Sequence, residues 1–163
     1  MARKLKFADG FTIVELLIAV ALTSILFVAV GAAFTASLRN YQVNEEIFKA
    51  VNNARQALCR ITNQLRTADT IDPTASNNEC NFFTATGQDI TYEYRSADKK
   101  LYLITNSDSQ EYLLCQDVTA MSFVKTPTED GNDVESVQIS ITVAAGDTEQ
   151  TLSAPVVIRR NLE

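Results

Sequence analysis

Few side chains in this chain could carry chemistry. The 163-residue sequence has no histidine, so it lacks the commonest general base and the commonest metal ligand in proteins. A Ser-His-Asp triad, a Cys-His dyad and an HExxH zinc site are therefore excluded. Three cysteines are present, Cys59, Cys80 and Cys115, and none forms a CxxC pair, so a zinc or thioredoxin-like centre is not expected. We expect no catalytic residue, no metal site and no cofactor.

One carboxylate lies where a carboxylate is costly. Glu15 is followed by an uncharged run, residues 16–38, which is 23 residues long. Placing a carboxylate in lipid costs several kcal/mol unless it is paired, so a simple membrane anchor would favour a neutral residue at this position. Glu15 is therefore the side chain whose chemistry most needs an explanation.

The uncharged run is long enough to cross a membrane, because about 20 apolar helical residues span the ~30 Å hydrocarbon core. A cleaved secretory signal fits poorly, since its apolar core has about 7–15 residues and a small-x-small site follows it. Residues 33–36 match that site only loosely. A signal anchor fits better, because Arg3, Lys4 and Lys6 would keep the amino terminus in the cytoplasm.

Residues 10–16, GFTIVEL, resemble the type IV prepilin signature, which has a glycine before a cleavage site, a hydrophobic residue after it and a glutamate soon afterwards. Gly10, Phe11 and Glu15 occupy the matching positions behind a short basic leader. The resemblance implies that prepilin peptidase cuts between Gly10 and Phe11 and that the new α-amine of Phe11 is N-methylated. It also implies that Glu15 pairs with the α-amine of a neighbouring subunit in a filament. The alternative is that Glu15 simply reaches the lipid headgroups.

Helical sequence continues beyond the uncharged run. Proline is absent from residue 11 until Pro73, and apolar residues recur at steps of four and three, which is typical of one face of an amphipathic helix. We predict one helix over about residues 11–67. It follows a cleaved leader at 1–10 and has a transmembrane or filament-core part at 11–38 and an amphipathic part at 39–67. The apolar stripe consists of Ile47, Val51, Ala54, Leu58, Ile61 and Leu65.

The remaining residues, 68–163, predict a β-rich globular domain. Residues 68–79 read as a loop, because Pro73 stands among Asp, Ser and Asn. Alternating apolar and polar residues predict strands, which turn-like segments separate. The predicted strands cover residues 89–95, 101–104, 111–114, 118–125, 134–143 and 150–157. The predicted fold class is α+β, with a long helix packed on a mostly antiparallel sheet.

Three later segments extend the resemblance to minor pilins of the PilW type and to J-type pseudopilins of type II secretion. They are the helix end at 57–68, the strand at 90–94 with Leu101 and Tyr102 after it, and the ending at 158–161. The resemblance implies a minor subunit of a type IV pilus, type II secretion or DNA-uptake filament. A tip position follows from the same likeness.

The cysteines permit one disulfide if the globular domain faces an oxidising compartment. A Cys80–Cys115 bridge would close a loop of about 36 residues and contribute roughly 3–4 kcal/mol. Cys59–Cys80 is the next pairing, and three free thiols are the remaining alternative. We expect Cys59 to be buried beside the apolar stripe if it stays unpaired.

The charge distribution indicates which classes of partner the protein could bind. The net charge is −6, and the leader is basic, so residues 11–163 carry −8. An acidic body argues against nucleic acid as the main partner. The loop at 128–135 is acidic and glycine-centred, and such oxygen-rich loops can bind calcium. It lacks the EF-hand spacing, and we favour a solvated turn.

The expected partners are prepilin peptidase, other pilin or pseudopilin subunits, the assembly platform and the inner membrane. The alternative function is that of an uncleaved, single-pass anchor that carries a binding or sensor domain. A membrane-anchored enzyme is the third hypothesis, and the missing histidine and missing nucleophile motif argue against it.

Overall fold

The computed structural model describes residues 11–146 and 148–159. The predicted leader and Gly10 lie outside the described residues, as do Arg160 and Asn161. The chain divides into two units, one ending at Gln42 and the other beginning at Val43. Helix α1 spans Ile13–Arg66 and contributes to both units. The prediction of one long amino-terminal helix is confirmed.

In the second unit, α1 buries one face. Its buried residues follow the predicted stripe and add two alanines to it, so the face begins with small side chains and ends with large ones: Ala50, Ala54, Ala57, Leu58, Ile61 and Leu65. Ile47 and Val51, which belong to the same stripe, are half-buried. The expectation that Cys59 is buried is wrong, because its side chain is exposed on the helix. Cys59 follows Leu58, and a step of one residue turns the side chain by about 100° from the packed face.

The strands after α1 form two antiparallel sheets rather than one. The first sheet has five strands in sequence order, so each strand pairs with its neighbours along the chain. Its strands are β1 (Ala68–Ile71), β2 (Glu79–Thr84), β3 (Asp89–Arg95), β4 (Lys100–Thr105) and β5 (Gln110–Cys115). The second sheet has three strands, also in sequence order. They are β6 (Val118–Pro127), β7 (Val134–Ala145) and β8 (Thr148–Val157).

The six predicted strands are present, and the antiparallel prediction is confirmed. The assignment of residues 68–79 to a loop is wrong at both ends, because Ala68–Ile71 is a strand that pairs with β2 and Glu79 is the first residue of β2. β1 has only four residues, and Asp72 and Pro73 follow it at once, so its alternation is too short to recognise. β2 was not predicted, because its sequence ECNFFT does not alternate cleanly.

Both sheets and the packed face of α1 contribute to a single hydrophobic core. Phe82 and Tyr92 stack there with ring centroids 5.6 Å apart. Phe123 and Ile139, from the three-stranded sheet, are fully buried. Full burial of a large apolar side chain contributes about 1.5–3 kcal/mol, so this core is the main source of stability in the second unit. The Tyr92 hydroxyl donates a hydrogen bond to Gln64 Oε1, which ties β3 to the helix.

Polar contacts also join the two sheets. The Lys125 ammonium on β6 donates to the carbonyl oxygens of Ala75 at 2.7 Å, Ser76 at 3.1 Å and Glu79 at 3.0 Å. These carbonyls belong to the β1–β2 connection and the start of β2. The Phe123 amide donates to the Asn77 carbonyl in the same connection at 2.7 Å. The ammonium thus satisfies carbonyl groups that the sheets leave open.

A carboxylate makes a second link. Asp133 is buried, and its Oδ1 accepts hydrogen bonds from the amides of Ile71 at 2.9 Å and Val134 at 2.8 Å. Ile71 ends β1 and Val134 begins β7, so one side chain connects the outer strand of the first sheet to the central strand of the second. The hydrogen bonds meet the requirement that a buried charge be compensated.

Replacing Lys125 with methionine tests the first link. Lys125→Met keeps the apolar stem but removes the ammonium donor from three carbonyls, of which Ser76 keeps the Glu79 amide as a donor, so we expect the free energy of unfolding to fall by roughly 1–3 kcal/mol. Urea unfolding of the detergent-solubilised chain, followed by tyrosine fluorescence, measures this change. Lys49→Met is the matched control: Lys49 is exposed and pairs with Glu45 one turn away. A change as small as the control's would contradict the proposed link.

Candidate functional site

The first turn of α1 is closed by its own side chains. Glu15 Oε2 accepts hydrogen bonds from the Thr12 amide at 2.9 Å and the Thr12 hydroxyl at 2.8 Å. In return, the Glu15 amide donates to Thr12 Oγ1 at 3.2 Å. This reciprocal arrangement is a capping box, in which a threonine before the helix and a glutamate three residues later satisfy each other's free amides.

The capping box gives Glu15 a role within its own chain. A simple membrane anchor would favour a neutral residue here, but the capping box gives the carboxylate a function even in a simple anchor. A negative charge in the first turn also interacts favourably with the partial positive charge of the helix amino terminus. Thr12 is the functional residue that the sequence reasoning missed, although the spacing T-x-x-E was a sufficient signal.

Beyond the capping box, α1 presents an apolar surface on all sides. Every described residue of the first unit, from Phe11 to Gln42, is exposed, and the uncharged run 16–38 lies inside this segment. α1 is long and apolar enough to cross a membrane. A helix that is apolar all round is stable only in lipid or among other apolar helices. This segment is therefore consistent with membrane anchoring.

The predicted residues around the cleavage site lie in sequence next to this surface. Phe11 is largely exposed and precedes the helix. Gly10 lies outside the described residues, so the geometry of the Gly10–Phe11 bond is not described. The pairing of Glu15 with an α-amine involves a second subunit and stays a prediction.

The predicted Cys80–Cys115 disulfide is not formed, because all three cysteines are free thiols. Cys80 lies on β2 and Cys115 ends β5, with β3 and β4 between them. Neighbouring strands lie about 4.8 Å apart, which puts the two residues on the order of 14 Å apart across the sheet. A disulfide needs Cα atoms within about 7 Å. Cys59–Cys80, the second pairing, is not formed either.

Burial determines the chemistry of two of these thiols. Removal from water raises the pKa of Cys80 to about 12 and the pKa of Cys115 to about 11. Both therefore stay protonated at neutral pH, and the thiolate is the reactive form. They are unsuited to act as nucleophiles or metal ligands in the folded protein.

The acidic loop at 128–135 forms a turn with internal hydrogen bonds. Asp130 Oδ1 accepts from the Thr128 hydroxyl at 2.5 Å, and the Asn132 amide also donates to it. Asp133 turns into the core, as described above. Within the described ranges, no group of three or more histidine, cysteine, aspartate or glutamate side chains is arranged to hold a metal ion.

Comparison with known families now adds to this geometry. A family model described as the prokaryotic N-terminal methylation motif matches residues 6–31. The chain thus carries the type IV prepilin signature, and its long apolar helix packed on antiparallel sheets has the architecture of a pilin-like protein. The match ends at Gly31, so it does not test the likeness to PilW-type or J-type subunits. No curated protein matches the sequence well enough to count as a relative.

The capping box predicts how the helix responds to substitution. Thr12→Val removes the hydroxyl that both donates to and accepts from Glu15, so we expect faster hydrogen exchange at the amide of Glu15. A lost cap costs about 0.5–2 kcal/mol, which corresponds to roughly 2- to 30-fold in exchange rate. Hydrogen-exchange NMR in micelles measures the change. Thr23→Val is the control, since Thr23 only bonds back to Ala19 inside the helix. Equal rates in wild type and Thr12→Val would contradict the capping role.

Alkylation distinguishes the three thiols. At pH 8, iodoacetamide should modify Cys59 quickly, and it should modify Cys80 and Cys115 only when denaturant unfolds the protein. Mass spectrometry of the peptides measures each site. Because the folded pKa values of the two buried thiols exceed the ordinary value of about 8.5, their contribution to stability is complete below that pH. It is lost as the pH rises towards 11 and 12. Rapid modification of Cys80 in the native protein would contradict its burial.

Proposed function

We propose that this protein is a minor pilin or pseudopilin, a structural and assembly subunit of a type IV pilus-like filament. The observation that carries the proposal is the methylation motif at residues 6–31, which leads directly into a helix exposed and apolar on every side. None of the described residues covers this surface. A lipid bilayer before assembly, and the apolar helices of other subunits afterwards, would both cover it.

In this mechanism, the chain inserts with its basic leader in the cytoplasm and its globular domain on the other side of the inner membrane. The positive residues before the span favour this orientation. Prepilin peptidase then cuts between Gly10 and Phe11, and Phe11 becomes the N-methylated amino terminus. The assembly platform transfers the helix from lipid into a filament of other pilin or pseudopilin subunits.

Glu15 would guide the entry of each subunit. Both of its contacts with Thr12 use Oε2, so Oε1 remains available as an acceptor. The α-amine of Phe11 on a neighbouring subunit is a cation of suitable charge for that oxygen. In a low-dielectric surrounding, an unpaired carboxylate is costly and a paired one is strongly held, so this contact would set the axial register.

The assignment as a minor subunit rests on the likeness of three later segments to PilW-type and J-type subunits. A role at the filament tip or in the initiation of assembly rests on the same likeness. The prepilin signature indicates a structural subunit rather than an enzyme. The absence of histidine from the sequence agrees with that interpretation.

Processing is the direct test. We expect co-expression with a prepilin peptidase to yield a mature chain that begins at Phe11 and carries one added methyl group, as read by intact-mass and amino-terminal peptide spectrometry. Gly10→Val should block the cut, because a bulky side chain would obstruct the peptide next to the scissile bond. Gly31→Val, at a distant position within the helix, is the matched control and should be processed normally.

The second candidate, an uncleaved anchor that carries a binding or sensor domain, makes the opposite prediction. It requires the chain to keep Met1 in the presence of the peptidase. An intact amino terminus, or a cut near Ala36, would contradict the pilin proposal.

A further inference from the structure

A polar cleft lies at the β1 end of the five-stranded sheet. Its volume is about 420 Å³, which falls in the ~300–1,000 Å³ range of ligand pockets. The cleft belongs entirely to the second unit, and neither the helix nor the prepilin motif contributes to it. Its main polar and aromatic lining residues are Asp72, Asn81, Phe83, Asp89, Asn106 and Asn132.

Hydrogen bonds within the chain hold several of these polar groups in place. Asn106 Nδ2 donates to Asp89 Oδ1 at 2.7 Å and to Thr91 Oγ1 at 3.0 Å. Asp72 Oδ1 accepts from the Thr74 amide at 2.8 Å and the Thr74 hydroxyl at 2.7 Å. Donors and acceptors that are fixed before binding lower the entropic cost of binding a ligand.

Asn81 differs from its neighbours. Its Oδ1 is shielded from solvent and is, in the part of the chain that the structure describes, the one such side-chain atom without a hydrogen-bond partner. A buried acceptor left in this state destabilises the folded protein. Asn81 lines the cleft, so a rotation of its side chain that brings Oδ1 to the cleft would break no hydrogen bond of that oxygen. A ligand that supplies a hydroxyl donor would remove the cost.

The charge and chemistry of the lining narrow the class of ligand. Asp72 and Asp89 are acidic and would repel phosphate, sulfate and carboxylate groups. The described residues offer no cluster that could chelate a metal ion. Phe83 lies opposite Asp89 on the neighbouring strand and is 46 % exposed, so it provides an open apolar face beside the amides. Hydroxyl groups that both donate and accept, attached to a ring with an apolar face, match this lining.

We propose that this cleft binds a neutral saccharide. One ring face would lie against Phe83, while its hydroxyl groups would donate to Asn81 Oδ1, to Asn106 Oδ1 and to the carboxylate of Asp72, because the Asn106 amide nitrogen already donates to Asp89 and Thr91. The proposal goes beyond the filament role and does not depend on it, because the cleft residues are separate from those that direct processing. In a filament, the site would give the subunit an adhesive function towards neutral glycans.

The test uses the full-length chain in a sugar-free zwitterionic detergent. Saturation-transfer difference NMR would probe methyl glycosides of glucose, galactose, mannose and N-acetylglucosamine, together with their short oligomers. We expect at least one neutral glycan to bind. Phe83→Ala and Asn106→Ala should each weaken binding about tenfold, since the loss of one well-placed contact is worth roughly 1.4 kcal/mol.

Two matched variants control for unspecific effects. Leu113→Ala removes another exposed apolar side chain from the same sheet, and Asn63→Ala removes an exposed amide from the helix, so both should bind as the wild type does. Thermal unfolding checks that each variant is folded. If Asn106→Ala fails to fold, the exposed Phe83→Ala decides the test alone.

Three results would overturn the proposal: no neutral glycan binds the wild type, binding is equal in all variants, or only a cationic ligand such as spermidine binds. Failure of glycan binding with normal processing at Gly10 would leave the filament role standing. Normal glycan binding without processing at Gly10 would support the saccharide site and contradict the filament role.

Discussion

One helix has to satisfy two different surroundings, and the other features of the protein follow from that constraint. From Phe11 to Gln42 every described side chain of the segment is exposed, and from Ala50 to Leu65 one face is buried under two sheets. The first segment gains stability only where lipid or other apolar helices replace water. The second gains it from the core of its own unit, and so tolerates polar residues on its outer face. Between Gln42 and Ala50, where the exposed segment passes into the packed one, there is no proline or glycine, because both segments belong to the same helix.

The globular unit depends on contacts that join separate sheets. Hydrophobic burial supplies most of the free energy, as in other small domains, but it is not directional. The hydrogen bonds of Lys125 and Asp133 are directional, because the ammonium donates only to carbonyl oxygens within reach and the carboxylate accepts only from amides within reach. Lys125 joins β6 to the β1–β2 connection, and Asp133 joins the end of β1 to the start of β7, so the two links favour one arrangement of the sheets in which the apolar side chains pack. Charged groups thus contribute specificity here in addition to stability.

Much of the architecture could be predicted from local pattern. The helix and the long alternating strands, with β7 the clearest example, repeat their signal over many residues, so they were found close to their observed bounds. β1 was missed because four residues carry too little periodicity. The predicted Cys80–Cys115 disulfide is absent for a different reason. Sequence spacing gives the length of the loop that a disulfide would close, whereas the order of the strands determines the distance between the two cysteines. The Thr12 contact with Glu15 could be predicted from the T-x-x-E spacing, which lies inside the cleavage motif.

The position of the capping box has a consequence for maturation. Thr12 closes the helix from inside the segment that would remain after a cut at Gly10–Phe11, and the leader takes no part in those hydrogen bonds. The helix end would therefore need no refolding when the leader departs. Processing would replace a peptide bond with a cationic terminus while the shape of the first turn stays the same. A precursor and its mature form would then present the same first helical turn to their neighbours, and the mature form would add a positive charge at Phe11.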